Sequence, residues 1–165
     1  MFEQLLLPSG TSLILSAAAV QPDRVTVDIH TTAARVRCPS CQGEASRIHS
    51  HYQRTLADLP LAQLPVQIHL SVRRFFCDTA TCPRTTFAEA VPELAPRSAR
   101  RTARLRNEQR QVALERGGEP GARQARRQGM AISPDTLLRL ARTAPAPPAP
   151  APRGPWEQAA PGTGA

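Results

Sequence analysis

Apolar and polar residues alternate along the first half of the chain and lose that alternation in the second. Val66, Ile68, Leu70 and Val72 point one way, and Gln67, His69, Ser71 and Arg73 point the other. A period of two marks a strand with one buried face, so 65–76 is predicted as the principal strand. Val25–Ile29 alternates likewise, as Val-Thr-Val-Asp-Ile, and Ser12–Leu15 is apolar. The Gln21-Pro22-Asp23 turn joins those two as a hairpin. Arg35–Arg37 and Thr85–Glu89 are the remaining predicted strands.

Past Pro96 the pattern turns helical. Residues 97–116 lack proline and glycine and are rich in helix formers, which predicts one charged helix stopped by Gly117 and Gly118. A short helix is expected over 120–128, followed by Gly129 and a turn. A third begins with Ser133 as N-cap, Pro134 at the first helical position and Asp135 in the first turn, and runs to Arg142. Residues 144–165 are rich in proline, alanine and glycine, which predicts a disordered tail.

Charge adds a partner to this picture. The chain carries +8, and all 21 of its basic side chains are arginine. A GC-rich genome would favour arginine codons, and phosphate recognition would favour the guanidinium fork. Placement says more than the total. Residues 97–142 hold twelve arginines against Glu108, Glu115, Glu119 and Asp135, while the rest of the chain is balanced. A one-sided excess of this kind points to nucleic acid or another anionic surface. No run approaches the 18 apolar residues of a membrane span. Acidic Glu3, in place of a basic leader, precedes the apolar stretch 13–20. The expectation is a cytoplasmic, nucleoid-associated chain with reduced cysteines.

Those cysteines are Cys38, Cys41, Cys77 and Cys82, two close pairs separated by 35 residues. Zinc takes four thiolate or imidazole ligands in a tetrahedron. Each pair would form one knuckle, and an antiparallel sheet between them would bring the knuckles together. Four sulfurs close the coordination shell, so one structural zinc ion is expected and a catalytic one is not. Three alternatives stand beside this: buried or incidental thiols, a redox pair at Cys38 and Cys41, and replacement of a far cysteine by His49 or His51. No partner is evident for His30 or His69. The fold class is therefore α+β. A β segment over 1–35 would pack on a zinc ribbon over 36–92, followed by an all-α module over 97–143 and the tail.

Residues 121–140 have the spacing of a helix-turn-helix. Ala125 is small where two helices must approach, and Gly129 falls where the turn needs a left-handed backbone. Ile132 and Leu138 would pack the second helix on the first. Pro134–Arg142 would be the recognition helix, with Thr136 and Arg139 at base edges and Arg142 beyond them. Arg100, Arg101, Arg104, Arg123, Arg126 and Arg127 would contact phosphates. The alternative is an ordinary helix pair with a solvated basic face. RNA is a further alternative, although 97–142 contains no aromatic residue for base stacking.

Several blocks together resemble the N-terminal part of insertion-sequence transposases of the ISL-three family. They are Cys38-Pro39-Ser40-Cys41, the stretch His49 to Pro60, Arg73-Arg74-Phe75-Phe76-Cys77, and Cys82-Pro83-Arg84 with Phe87 and Glu89. Gly117-Gly118, Gly121-Ala122 and Ser133 to Arg139 continue the series. The resemblance covers roughly 1–143. It implies a zinc-binding domain, a helix-turn-helix and binding to double-stranded terminal inverted repeats, with full-length transposase as a further partner. It implies no small-molecule substrate. Family members continue into an RNase H-like domain with three metal-binding carboxylates. Here Glu157 is the only acidic residue after Asp135, so no catalytic residue is assigned, and the expectation is a truncated fragment that binds DNA without cutting it. The alternative is one part of an active transposase whose catalytic domain is on a separate or frameshifted chain. A zinc ribbon that binds protein is a third reading, disfavoured by the charged segment.

Overall fold

The alternation in 65–76 ends in a central strand because its apolar half is covered and its polar half is not. The computed structural model describes residues 7–8 and 10–143. The stretch 144–165, expected to be a disordered tail, lies outside the described residues. In chain order the elements are β1 Leu13–Val20, β2 Val25–Thr31, β3 Val36–Arg37, β4 Glu44–Ala45, β5 Ile48–Leu61, β6 Leu64–Phe76 and β7 Thr86–Ala88. Three helices follow: α1 Ala103–Arg116, α2 Glu119–Arg127 and α3 Pro134–Arg142.

The main sheet has the order β1-β2-β6-β5, and β3 and β4 form a separate small hairpin. The predicted β1–β2 hairpin is present, antiparallel and closed by the Gln21 N–H donating to the Arg24 carbonyl. It joins the sheet by parallel pairing of β2 with β6, Val25 opposite Val66. The N-terminal segment thus packs on the rest by extending its sheet. Val25, Val27 and Ile29 of β2, Leu56 of β5 and Val66, Ile68, Leu70 and Val72 of β6 form one core, covered by Val91, Leu94 and Ala95. The opposite face carries Gln67, Ser71 and the His69–Asp28 pair, whose atoms lie 3.1 Å apart. His69 thus has a partner that no local pattern indicates.

One long strand escapes the alternation rule. β5 pairs with β6 along nearly its whole length and turns through Ala62 and Gln63, both with positive φ, as a two-residue hairpin turn demands. Its core-facing positions include Arg54 and Asp58 as well as Leu56. The apolar alternation is broken there because both polar residues meet partners far along the chain. Arg54 donates to the carbonyls of Pro96 and Ala99, and Asp58 accepts from Thr102 and Arg104.

The same contacts correct the predicted helix over 97–116, which begins at Ala103. The Ala57 N–H donates to the Arg100 carbonyl, and the Thr102 N–H donates to the Ala57 carbonyl. This pins 100–102 to the edge of β5 in an extended state. Ser98 is left-handed, φ 62°. Thr102 then caps α1 by accepting from the Leu105 N–H.

Leu105, Val112, Ala113, Ala122, Ala125, Met130, Ile132 and Leu137 form the core of the three-helix unit. Leu137 is fully buried, and Leu138, expected in that role, is 40% exposed. One residue is a 100° rotation on a helix, enough to move Leu138 to the rim, where it lies against Gly118. Gly129 has φ 80°, and a Cβ there would fall on the Gln63 carbonyl. The turn before α3 is therefore seated on the β5–β6 hairpin tip and needs glycine for two reasons. Among the described residues no helix is long and apolar enough to cross a membrane.

Gln109 lies in this helical core, 1% exposed, and among the described residues its Oε1 has no hydrogen-bond partner. A buried orphan acceptor costs about 1–3 kcal/mol. Gln109→Met, similar in shape and apolar, is expected to raise unfolding stability by about 1 kcal/mol in a denaturant titration. A loss of stability would show that Gln109 has a partner in solution.

Candidate metal centre and nucleic-acid interface

The first knuckle is the β3–β4 hairpin. The Cys38 N–H donates to the Gly43 carbonyl and the Gln42 N–H to the Cys38 carbonyl, both at 2.9 Å. These bonds fold Cys38 and Cys41 onto one side of the turn. The second knuckle follows β6. The Cys77 N–H donates to the Thr85 carbonyl at 2.9 Å, and the Cys82 N–H to the Thr79 carbonyl at 3.0 Å. Pairing of β7 with the end of β6 holds its base.

The two knuckles bring all four sulfurs within 4.8 Å of one another. Cys38 Sγ is 3.9 Å from Cys82 Sγ, and Cys41 Sγ is 3.6 Å from Cys77 Sγ. A tetrahedron with Zn–S of about 2.3 Å has edges of about 3.8 Å. A disulfide would bring two sulfurs to about 2 Å. All four cysteines are free, and the spacing suits a tetrahedral metal. His49 packs edge-on against Phe76, ring centroids 4.8 Å apart, and neither His49 nor His51 belongs to the cluster.

Electrostatics inside the cluster point the same way. The Thr79 hydroxyl, 3.5 Å from Cys41 Sγ, and the Gly43 N–H bring the Cys41 thiol down to about 6. N–H groups of Cys41 and Ser40 lower Cys38. At Cys82 the Arg84 N–H favours the thiolate, but burial and the three crowding sulfurs outweigh it and push the thiol up to about 12. Four thiolates this close repel unless a cation lies among them. A zinc ion supplies that charge, closes the shell and leaves no open position for chemistry.

The surroundings brace the knuckles. Arg47 pairs with Asp78 at 2.8 Å and lies 4.3 Å over the Phe76 ring. Arg84 donates to Ser40 Oγ at 3.0 Å, linking the two knuckles. A Cβ on Gly43 would lie 2.6 Å from Thr79 Oγ1, so only glycine lets that hydroxyl reach Cys41. Phe75 and Phe87 stack beneath, with Ala45 and Cys38. Spacing alone singled out the four cysteines that cluster. Thr79, Arg47 and Ser40 carry no local signal, because each acts across the space between knuckles.

The predicted DNA contacts fall into two groups. Arg100, Arg123, Arg126, Arg127, Arg139 and Arg142 are exposed, and Arg101 and Thr136 half-exposed. Arg123 and Arg126 both lie near Glu119, at 3.5 and 3.9 Å. Among the described residues no carboxylate pairs with Arg127, Arg139 or Arg142. Ser133 caps α3 as expected, accepting from the Thr136 N–H, and its Oγ is 2.8 Å from Thr136 Oγ1. Arg104 stands apart. Its guanidinium donates through Nε to Asp58 Oδ1 at 2.7 Å and through Nη2 to Asp58 Oδ2. It joins helix to sheet and faces inward. Ile48, beside the knuckles, and Asp58 are ten steps apart along β5, about 33 Å of strand. The metal centre and the helices therefore stand at opposite ends of the sheet.

Residues 34–83 match the family described as the zinc-finger of transposase IS204/IS1001/IS1096/IS1165, an interval that contains all four thiols. No curated protein and no solved structure is detectably similar to the chain. Residues 34–83 are thus similar to a transposase zinc finger, and with the four clustered sulfurs this similarity supports a zinc ribbon with one structural zinc ion.

Proposed function

We propose that this chain binds double-stranded DNA at the terminal inverted repeats of an insertion sequence, through its three-helix unit, with the zinc ribbon as rigid support. The observation that carries this reading is the transposase zinc-finger match over 34–83 in a chain whose whole charge excess lies in the attached helical segment. α2 and α3 act as a helix-turn-helix. α3 enters the major groove and presents Thr136, Arg139 and Arg142. Arg123, Arg126 and Arg127 of α2, with Arg100 and Arg101 before α1, contact phosphates and set the register. Arg104 is left out of the contact set, because Asp58 holds its guanidinium. Zinc chemistry enters no step; the metal holds the knuckles and, through β5 and β6, the platform on which the turn before α3 rests.

Fluorescence anisotropy with the zinc-loaded chain tests this. The probes are a labelled duplex of the element's own terminal repeat and a scrambled duplex, each at two salt concentrations. The repeat is expected to bind about a hundredfold more tightly. Arg139→Ala is expected to reduce that preference by about 1–3 kcal/mol. Equal, salt-sensitive binding of both duplexes would overturn sequence-specific recognition.

A further inference from the structure

We infer that a cleft in the zinc-ribbon sheet, between β5, β6 and the 88–98 segment, is a second DNA contact that grips a backbone phosphate. This rests on the DNA-binding reading above and adds a site outside the helices. The cleft has a volume of about 320 Å³ and is lined by Tyr52, Arg54, Arg74 and Arg97, among others. That space suits a single nucleotide unit and is far too small for a duplex to enter.

Three guanidiniums around one hollow repel one another, and such an arrangement calls for an anion between them. Among the described residues the one carboxylate that lines the cleft is already engaged. Glu89 lines the cleft, but its carboxylate is occupied by the Arg73 guanidinium at 3.2 and 2.9 Å, the Arg73 N–H at 2.7 Å and the Thr31 hydroxyl. Arg74 and Arg97 are exposed, and among the described residues neither has a carboxylate partner. Arg54 is held in place by its bonds to the carbonyls of Pro96 and Ala99 at 3.3 and 2.8 Å. Those bonds also fix the 96–99 segment that carries Arg97, so the basic rim is preformed. Tyr52, 41% exposed, completes the wall and adds a hydroxyl of the kind that contacts phosphates.

Position selects DNA over other anions. Arg97 opens the segment that holds the whole charge excess. Tyr52 is five steps along β5 from Ala57, where the 100–102 segment is pinned. That is about 17 Å, the rise of about five base pairs. A duplex held by the helices is thus within reach of the cleft.

The test uses the full zinc-loaded chain and the two labelled duplexes described above, titrated over a range of salt. Arg74→Ala with Arg97→Ala removes two exposed cations. The slope of log affinity against log salt is expected to become shallower by about 2, and affinity near 0.1 M salt to fall about tenfold. The preference for the repeat is expected to stay unchanged, because phosphate contacts carry no sequence information. Arg74→Lys with Arg97→Lys keeps the charge and is expected to restore most of the slope. Wild-type binding with an unchanged slope in the alanine variant overturns the cleft and leaves the helical reading intact; the cleft would then suit an acidic protein surface. A lysine variant as weak as the alanine variant also overturns it, since the loss is then structural. Absence of wild-type binding overturns both readings.

Discussion

Replacing Cys38 by serine is expected to abolish stoichiometric zinc and unfold the knuckle end of the sheet. Cys38 is fully buried, and its backbone makes both bonds that close the first knuckle. Beneath the metal, among the described residues, the apolar support is a small cluster of Ala45, Phe75 and Phe87 with Val36 packed against it. Structural zinc contributes about 10–16 kcal/mol in finger peptides, far more than so few side chains can replace. Zinc content by elemental analysis and amide exchange at Gln42, Cys77 and Cys82 check this. All three N–H groups bond within the knuckles and should lose protection, while Val27 and Ile68 keep theirs. A serine variant that retains one zinc per chain would mean that another residue, with His49 nearby, has taken the fourth position. Acid is expected to act in the same direction. With Cys41 near about 6 and Cys82 near about 12 without metal, zinc must displace protons at neutral pH. Affinity therefore rises with pH and falls as pH drops and protons compete for the sulfurs. Proton release measured calorimetrically in buffers of different ionisation enthalpy checks the sign.

Asp58→Ala is expected to cost about 3–5 kcal/mol, the usual loss when one member of a buried ion pair is removed. The Asp58 side chain is fully buried, and it accepts from Thr102 Oγ1 at 2.6 Å and from Arg104 Nε at 2.7 Å. Both donors belong to the start of α1, so the carboxylate ties the helical unit to the sheet. Its loss leaves a partly buried guanidinium and frees the residue that caps α1. The expected readout is a split transition, with helical ellipticity lost at lower temperature than zinc is released. One unchanged transition would show that the seat of Gly129 on the hairpin tip suffices. Asp58→Leu with Arg104→Met removes both charges and is expected to cost much less than the two single changes added together.

The legible parts of this chain were those in which cause and effect are close in sequence. β6 follows from its own alternation, and the β1–β2 hairpin from one turn. The start of α3 follows from Ser133, Pro134 and Asp135, each acting within one helical turn. β5 was illegible for the opposite reason. Its core face alternates Arg54, Leu56 and Asp58, which reads as a surface strand unless the partners are known. Those partners are 44 and 46 residues away for Asp58, and 42 and 45 for Arg54.

The sequence by itself singled out the four cysteines that cluster, since two short Cys pairs leave little freedom in how their sulfurs meet. It also determined where the positive charge is concentrated, because charge is a property of composition. Only the tertiary structure decided what individual arginines do. Arg104 and Arg73 are drawn inward by the carboxylates of Asp58 and Glu89, and Arg54 by carbonyls at 96 and 99. Arg127, Arg139 and Arg142 remain on the surface. A guanidinium looks the same in every sequence. Its role depends on whether the fold brings an acceptor to it, and burial makes an unpaired charge too costly to leave inside.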